Sequence, residues 1–225
     1  MDRMKREYKI FLLAAMLVML GSVSVKAQVF QGTVFTGFNI SQVDGDDVYG
    51  YNRIGAQLGA GVILPINKWD ITLEAMFNQK GSFQKAKYPG DSINYQYDLR
   101  LNYVEVPLLV HYTDRQVIGA GLGFSYGRLV YAKEIEHKNN VLPYSDTVKF
   151  NKDDFNILAE VQLRIYKGLK FSVRYAYSII PIRERTFWRN LDEPMTRKQY
   201  NNLFTFRFTY VINDHYVKPK KPQKD

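Results

Sequence analysis

After residue 28, apolar and polar residues alternate along the chain with a period of two, and no segment has the period of an amphipathic helix. Successive side chains of a β-strand point to opposite faces of a sheet, so this alternation predicts strands with one apolar face each. Eight such stretches occur, at residues 30–41, 54–64, 69–80, 99–112, 118–131, 155–166, 169–179 and 200–211. The chain is therefore predicted to be all-β.

The connections between these stretches alternate in length. Short turns join the second stretch to the third, the fourth to the fifth and the sixth to the seventh. The long, polar connections are residues 42–53, 81–98, 132–154 and 180–199. This pattern is typical of bacterial outer-membrane barrels, which have short periplasmic turns and long external loops. We predict an eight-stranded antiparallel up-and-down transmembrane β-barrel over residues 28–212, with both of its ends on the periplasmic side.

A soluble barrel would show the same alternation with its apolar faces inward. Three features favour a membrane barrel. The apolar faces carry no charged residue over their central spans, where lipid penalises Arg and Lys. The opposite faces carry glycines that suit a crowded lumen, at Gly55, Gly59, Gly61, Gly119, Gly121 and Gly123. Aromatic residues suited to the membrane interface lie near strand ends, at Trp69, Tyr112, Tyr126 and Tyr210.

Residues 1–27 have the three parts of a secretory signal peptide: a basic start, a short apolar core and Val25-Lys26-Ala27 before the expected cleavage. The apolar core, Ile10 to Leu20, is shorter than the roughly 20 residues that a transmembrane helix needs. We therefore expect an exported chain that begins at Gln28. Residues 213–225 are predicted to be a basic periplasmic tail, either a contact segment or a solvated end.

Composition and spacing exclude several kinds of site. The absence of cysteine excludes disulfides, thiolate metal sites and a lipoprotein anchor. The net charge is +9, but no cluster of basic and aromatic residues indicates nucleic-acid binding. His111 is expected at the periplasmic rim and His137 in a long loop, and no triad spacing, metal-ligand cluster or phosphate loop is present. We expect no catalytic residue, no metal and no cofactor.

The stretch "NYVEVPLLVHY", residues 102–112, places a glutamate and a proline in a strand. If Val104 and its alternate neighbours face lipid, Glu105 and Pro107 face the lumen, where the carboxylate can find polar partners. We expect Gly121 or Gly123 to lie opposite Pro107 and to give its ring space.

The predicted inward face is strongly charged. Its candidate polar network comprises Asp70, Glu74, Glu105, Glu160, Arg164, Arg174 and Arg207. A three-residue turn at 166–168, with Gly168 in the left-handed region, would place Glu160 opposite Arg174, and Arg207 could share the carboxylate. A charged channel or a catalytic pair remains an alternative, but eight strands leave an interior that side chains fill.

The stretch "NYVEVPLLVHY" resembles the "YLEIPLLLKY"-type signature of the PorT-like family, the small outer-membrane β-barrel domain of Bacteroidota. "GFNIS" at 37–41, "LEAMFNQKGS" at 73–82 and "GAGLGFSYG" in the fifth stretch are also similar to that family. The resemblance spans most of the expected mature chain. It implies an eight-stranded barrel in the outer membrane, and for some members a part in type IX protein secretion.

Two kinds of function remain open. The first is a non-enzymatic interaction or accessory component of an envelope or secretion machine, with Phe187 and Trp188 as candidate loop contacts. The second is a barrel-type lipid or peptide hydrolase or acyltransferase. The expected partners are outer-membrane lipid or lipopolysaccharide and secretion or envelope proteins, with no nucleic acid.

Overall fold

The structure, a computed structural model, describes residues 30–85, 96–114, 117–137, 150–190 and 193–214. The expected signal segment and most of the basic tail lie outside these residues. The strands are β1 (Gln31–Asp44), β2 (Arg53–Ile66), β3 (Trp69–Gln84), β4 (Gln96–Asp114), β5 (Ile118–His137), β6 (Asp153–Tyr166), β7 (Leu169–Ser178), β8 (Arg183–Asn190) and β9 (Glu193–Ile212). No helix in the described part of the chain is long and apolar enough to cross a membrane.

Eight of the strands form a closed antiparallel ring. Strands β1 to β7 follow each other in chain order, β9 pairs with β7, and β9 also pairs with β1. Closure leaves no free edge in the ring, which is what a strand-built membrane protein requires because lipid cannot hydrogen-bond to an open edge. The predicted eight-stranded up-and-down barrel is confirmed.

Strand β8 corrects the prediction of a long loop at 180–199. Its residues pair with the first part of β9, from Arg183 opposite Gln199 to Asn190 opposite Glu193. Strands β7 and β8 therefore pair with β9 one after the other along its length, and residues 179–182 separate them. Pro181 lies in that interruption and has no backbone N–H for the ladder.

The strands continue well beyond the length that a bilayer requires. Strands β4, β5 and β9 have 19, 20 and 20 residues, whereas about 9–11 tilted residues cross a membrane. The extra residues lie on the side of the long connections, so segments predicted as loops at 81–98 and 132–154 are partly strand. On that side the barrel continues as an ordered extension above the membrane.

The two faces of the sheet have the chemistry of a membrane barrel. The outward apolar side chains are exposed, for example Leu122 at 71% and Phe124 at 60%. The inward face is buried and mostly polar, with Glu105 at 2%, Glu160 at 3% and Arg174 at 1% exposure. A soluble barrel has the opposite arrangement, so the exposed apolar belt lies in lipid.

Aromatic side chains mark both ends of the apolar belt. The rings of Trp69 and Tyr112 lie 5.2 Å apart near the short turns. The rings of Tyr126 and Phe155 lie 5.2 Å apart towards the long connections. These are the positions expected for interfacial girdles.

Two expected local details are wrong, one in a turn and one in the register of two strands. Tyr166 pairs with Leu169 after an irregularity at Ile165, and the left-handed residue in this turn is Lys167, at φ 39°, rather than Gly168. Pro107 lies opposite Ser125 instead of Gly121 or Gly123. The ladder between β3 and β4 skips Val106 and Pro107, where the proline lacks a donor.

Candidate functional site

The lumen contains a central ion cluster formed by Glu74, Glu160, Arg174 and Arg207. Glu74 receives two hydrogen bonds from Arg174, at 2.9 and 3.1 Å, and two from Arg207, at 3.0 and 2.8 Å. Arg174 Nε donates to Glu160 Oε2 at 2.6 Å, and Arg207 Nη2 lies 3.0 Å from the same oxygen. Two carboxylates and two guanidinium groups thus neutralise each other where a lone buried charge would be very costly.

His111 belongs to this cluster, and its expected position at the periplasmic rim is wrong. The imidazole is 2% exposed, with Nε2 3.2 Å from Glu160 Oε1 and Nδ1 3.4 Å from Thr72 Oγ1. It lies opposite Gly121 on β5. A Cβ at Gly121 would stand 2.2 Å from His111 Cδ2, so the glycine makes space for the imidazole rather than for Pro107.

An apolar layer lies above the central cluster, towards the long connections. It consists of the buried residues Leu109, Leu158, Ala176 and Leu203. Gly123 lies opposite Leu109, and a Cβ there would be 2.8 Å from the leucine side chain. The small inward residues of β5 therefore give room to bulky side chains of the neighbouring strand.

A second ion cluster, the upper cluster, is centred on Lys80. Its ammonium lies 2.6 Å from Glu105 Oε1 and donates to Asp154 Oδ2 at 3.0 Å. Ser178 and Asn201 donate to Asp154 at 2.7 and 2.9 Å. Lys80, Glu105 and Asp154 are at most 2% exposed, so Glu105 faces the lumen with polar partners around it.

The remaining predicted network residues lie near the short-turn rim. Thr113 donates to Asp70 Oδ2 at 3.1 Å, and Arg164 forms an ion pair with Asp214. The seven predicted residues are therefore distributed over three levels: a rim with Asp70 and Arg164, the central cluster, and the upper cluster with Glu105.

Lys80, Asp154 and His111 were missing from the predicted network, although the sequence contains a signal for each. Lys80 is an even number of residues from Glu74, and Asp154 an even number from Glu160. His111 has the same relation to Glu105. Residues separated by an even number along a strand share a face, so alternation places all three inward.

A buried apolar cluster closes the interior above the ion clusters. It comprises Val43, Val48, Tyr97, Leu99, Leu101, Tyr103 and Ile182. Beside it, opposite Leu99, Glu134 accepts hydrogen bonds from Tyr97 at 2.6 Å and from Arg183 at 2.7 and 2.9 Å. Arg183 also donates to Gln199 at 2.9 Å. Strand β8 is thus tied to β5 through a charged contact as well as to β9 through its ladder.

The connection between β1 and β2, on the long-connection side, carries a buried acid, Asp46. Its Oδ1 accepts a hydrogen bond from the backbone N–H of Val48 at 2.9 Å. Burial raises the pKa of Asp46 to about 7, because that hydrogen bond, a contribution from Ser82 and the charge of Arg183 only partly offset the loss of water. This group therefore titrates near neutral pH.

For three residues singled out in the sequence, the structure describes the backbone but not the side chain. Phe187 and Trp188 lie on β8 opposite Met195 and Pro194, but their side chains are outside the described residues. His137 ends β5 instead of lying in a loop, and its side chain is likewise outside. Among the groups that the structure describes, no three His, Asp or Glu residues are arranged to hold a metal ion.

A family model described as "Outer membrane protein beta-barrel domain" matches residues 26–184, well over half of the chain. The chain belongs to this family. It is an outer-membrane β-barrel protein, in agreement with the closed ring, the exposed apolar belt and the polar interior. A search of curated proteins found no match.

Solved structures similar to this family member include three small barrels. Ail of Yersinia pestis is 13% identical, with a TM-score of 0.45 over 81% of this chain and 98% of that one. Neisserial surface protein A is 10% identical, with a TM-score of 0.46 over 82% and 97%. OprG of Pseudomonas aeruginosa is 14% identical, with a TM-score of 0.47 over 81% and 95%.

Proposed function

We propose that this outer-membrane barrel has a filled, non-conducting lumen and acts as an interaction or accessory component of an envelope or protein-secretion machinery. The observation that carries the proposal is the packed interior. Arg174, Glu160 and Lys80 are buried in ion-paired clusters, with Leu109 and Leu203 fully buried between them. Mutually paired charges have no free capacity to hold a permeating ion, so the exterior is where a partner can bind.

The extension above the membrane is the part of the exterior best suited to partners. It is built from strands rather than from loops alone, and Arg183 and Glu134 connect its elements. A rigid surface loses little conformational entropy on binding. Phe187 and Trp188 lie in the hairpin of β8 and β9 and remain the candidate anchors.

The resemblance of "NYVEVPLLVHY" and the other segments to PorT-like proteins of Bacteroidota supports a place in type IX-like secretion. On this proposal the chain is exported by a signal peptide that is cleaved near Ala27. It contacts outer-membrane lipid or lipopolysaccharide around its belt and secretion or envelope proteins at its ends, and it is not an enzyme.

Affinity purification after cross-linking in native membranes tests the accessory role. The full chain should capture a defined set of envelope proteins. Phe187→Ser with Trp188→Ser should lose that set, while Tyr49→Ser, a change at another exposed aromatic residue (84% exposed), should retain it. Equal recovery of the same proteins by all three chains would remove the hairpin from the proposal, and recovery of none by the full chain would contradict the accessory role.

One arrangement favours an enzyme as the second candidate. Thr72, His111 and Glu160 form a hydroxyl–imidazole–carboxylate row with contacts of 3.4 and 3.2 Å. The three residues are at most 5% exposed, and Glu160 is already paired with two arginines. Turnover of lipid or peptide by pure protein, lost in His111→Ala or His137→Ala, would support a hydrolase or acyltransferase instead.

A further inference from the structure

The outward surface changes from apolar to basic where the barrel leaves the lipid belt on the long-connection side. On β4 the exposed apolar positions end at Val104, and Arg100 follows on the same face with its side chain 52% exposed. On β5, Tyr131 is exposed opposite Asn102, and the exposed Lys133 lies two residues further along. This band is the level at which a strand meets the headgroups of the outer leaflet.

Three cations gather here around one carboxylate and form what we call the basic cluster: Arg53, Arg100, Lys133 and Asp98. Arg53 Nη1 lies 2.7 Å from Asp98 Oδ1, and Arg100 Nη2 lies 2.9 Å from Asp98 Oδ2. The positive charge of Lys133 also acts on this carboxylate. The four groups together carry a surplus of two positive charges.

Arg100 and Lys133 lie directly opposite each other on neighbouring strands and face the same side. Like charges in this relation destabilise a sheet, because their Cβ atoms are only about 4.5–5.5 Å apart. Asp98 can neutralise only one of them. An anion bound from outside would remove the repulsion and use the donors of both side chains.

The surplus of positive charge is confined to this part of the surface. Where β1 meets β9, Asp44 receives hydrogen bonds from Gln42 and Asn202, at 2.8 and 3.1 Å, and Tyr177 and Tyr200 stack nearby with ring centroids 6.0 Å apart. That side therefore offers an acid and aromatic rings where β4 and β5 offer cations. The charge distribution favours one anionic ligand at one position, not a uniform attraction to the leaflet.

We propose that the basic cluster binds the phosphate groups of a phosphorylated glycolipid of the outer leaflet, that is, a lipid A-type headgroup. Phosphate is multiply charged and matches the planar donors of arginine. The exposed Val130 and Tyr131 below the cluster can pack against the acyl chains or sugar of the same lipid. The proposal rests on the outer-membrane position with the long connections outside, and not on a role in secretion.

Binding of fluorescent diphosphoryl lipid A to the purified chain in detergent tests the proposal. Arg100→Gln with Lys133→Gln should weaken binding at least tenfold. Lys167→Gln with Lys198→Gln removes two exposed positive charges elsewhere and should change binding less than twofold. Dephosphorylated lipid A should bind all three chains equally and weakly.

Three results would overturn the proposal. The first is an equal loss of binding in both double variants, and the second is tight binding of the dephosphorylated lipid. The third is complete competition by inorganic phosphate at the concentration of the lipid, which would indicate a free-phosphate site. The cluster variant should also fold, because it loses a repulsion along with the Arg100–Asp98 contact and Asp98 keeps its ion pair with Arg53, so without ligand its melting temperature should stay close to that of the unchanged chain. Diphosphoryl lipid A should raise the melting temperature only when the cluster is intact.

Discussion

Removing Arg174 tests whether the central cluster is a mutually neutralised unit. This guanidinium is 1% exposed and makes contacts of 2.6, 2.9 and 3.1 Å with Glu160 and Glu74. In Arg174→Met the two carboxylates would share one guanidinium, Arg207, with the His111 imidazole beside Glu160, so one negative charge loses its guanidinium partner. Breaking a buried pair in this way costs about 3–5 kcal/mol.

Adding Glu160→Gln to Arg174→Met restores charge balance. Glu74 then keeps its two hydrogen bonds from Arg207, at 3.0 and 2.8 Å. Because no charge is left alone, we expect the double variant to lose only about 1–3 kcal/mol, in the range of lost hydrogen bonds. Glu160→Gln alone leaves a surplus positive charge and should also cost several kcal/mol.

These variants form a double-mutant cycle. Its quantity is the free energy of unfolding, measured by urea titration of the barrel folded in lipid vesicles. The exposed pair Lys198 and Glu184, 3.6 Å apart, is the control, and its cycle should show a coupling of at most about 1 kcal/mol. Strict additivity at the central cluster, with the double variant losing about 6 kcal/mol or more, would refute the mutual neutralisation.

Three further predictions follow from particular residues. Gly121→Ala should lower the free energy of unfolding by about 1–3 kcal/mol, because its Cβ would stand 2.2 Å from the imidazole of His111. Gly32→Ala is the control and should change the free energy of unfolding little, because the nearest contact of its Cβ is at 3.7 Å. Equal effects of the two changes in urea titrations would contradict this prediction. Because the pKa of Asp46 is raised, its contribution to stability is fully present below about pH 4 and is lost as the pH rises through about 7. Asp46→Asn should therefore flatten that pH dependence of the melting temperature. An unchanged slope would show that the acid titrates normally. Protease added to intact cells should cut between β5 and β6 and spare residues 215–225, and cleavage of the tail alone would invert the topology.

Alternation predicted the ring and the direction of each side chain well, because lipid and lumen impose opposite chemistry on successive residues. It did not determine register. A slip of two residues keeps every side chain on its own face, so the expected partners of Pro107 were wrong although its inward direction was right. The pair of Glu160 and Arg174 was predicted correctly because the irregularity at Ile165 absorbs the error in the turn.

The ordered extension was not predictable from the same signal. On β8, above the membrane, charged residues occupy the buried face as well as the exposed one, so no apolar period identifies that strand. Arg183 and Arg185 on β8 were therefore predicted to lie in a loop, yet both are buried and paired with Glu134. His111 was misplaced for a different reason: nearness to a strand end suggested the rim, whereas its parity with Glu105 placed it inside.

Planar-bilayer recording of the purified barrel tests the central claim, a lumen closed by paired charges and apolar layers, most directly. The account predicts no steady conductance of porin size from the unchanged chain across the physiological range of salt. A stable single-channel current of that size from the pure, unchanged protein would contradict the filled lumen.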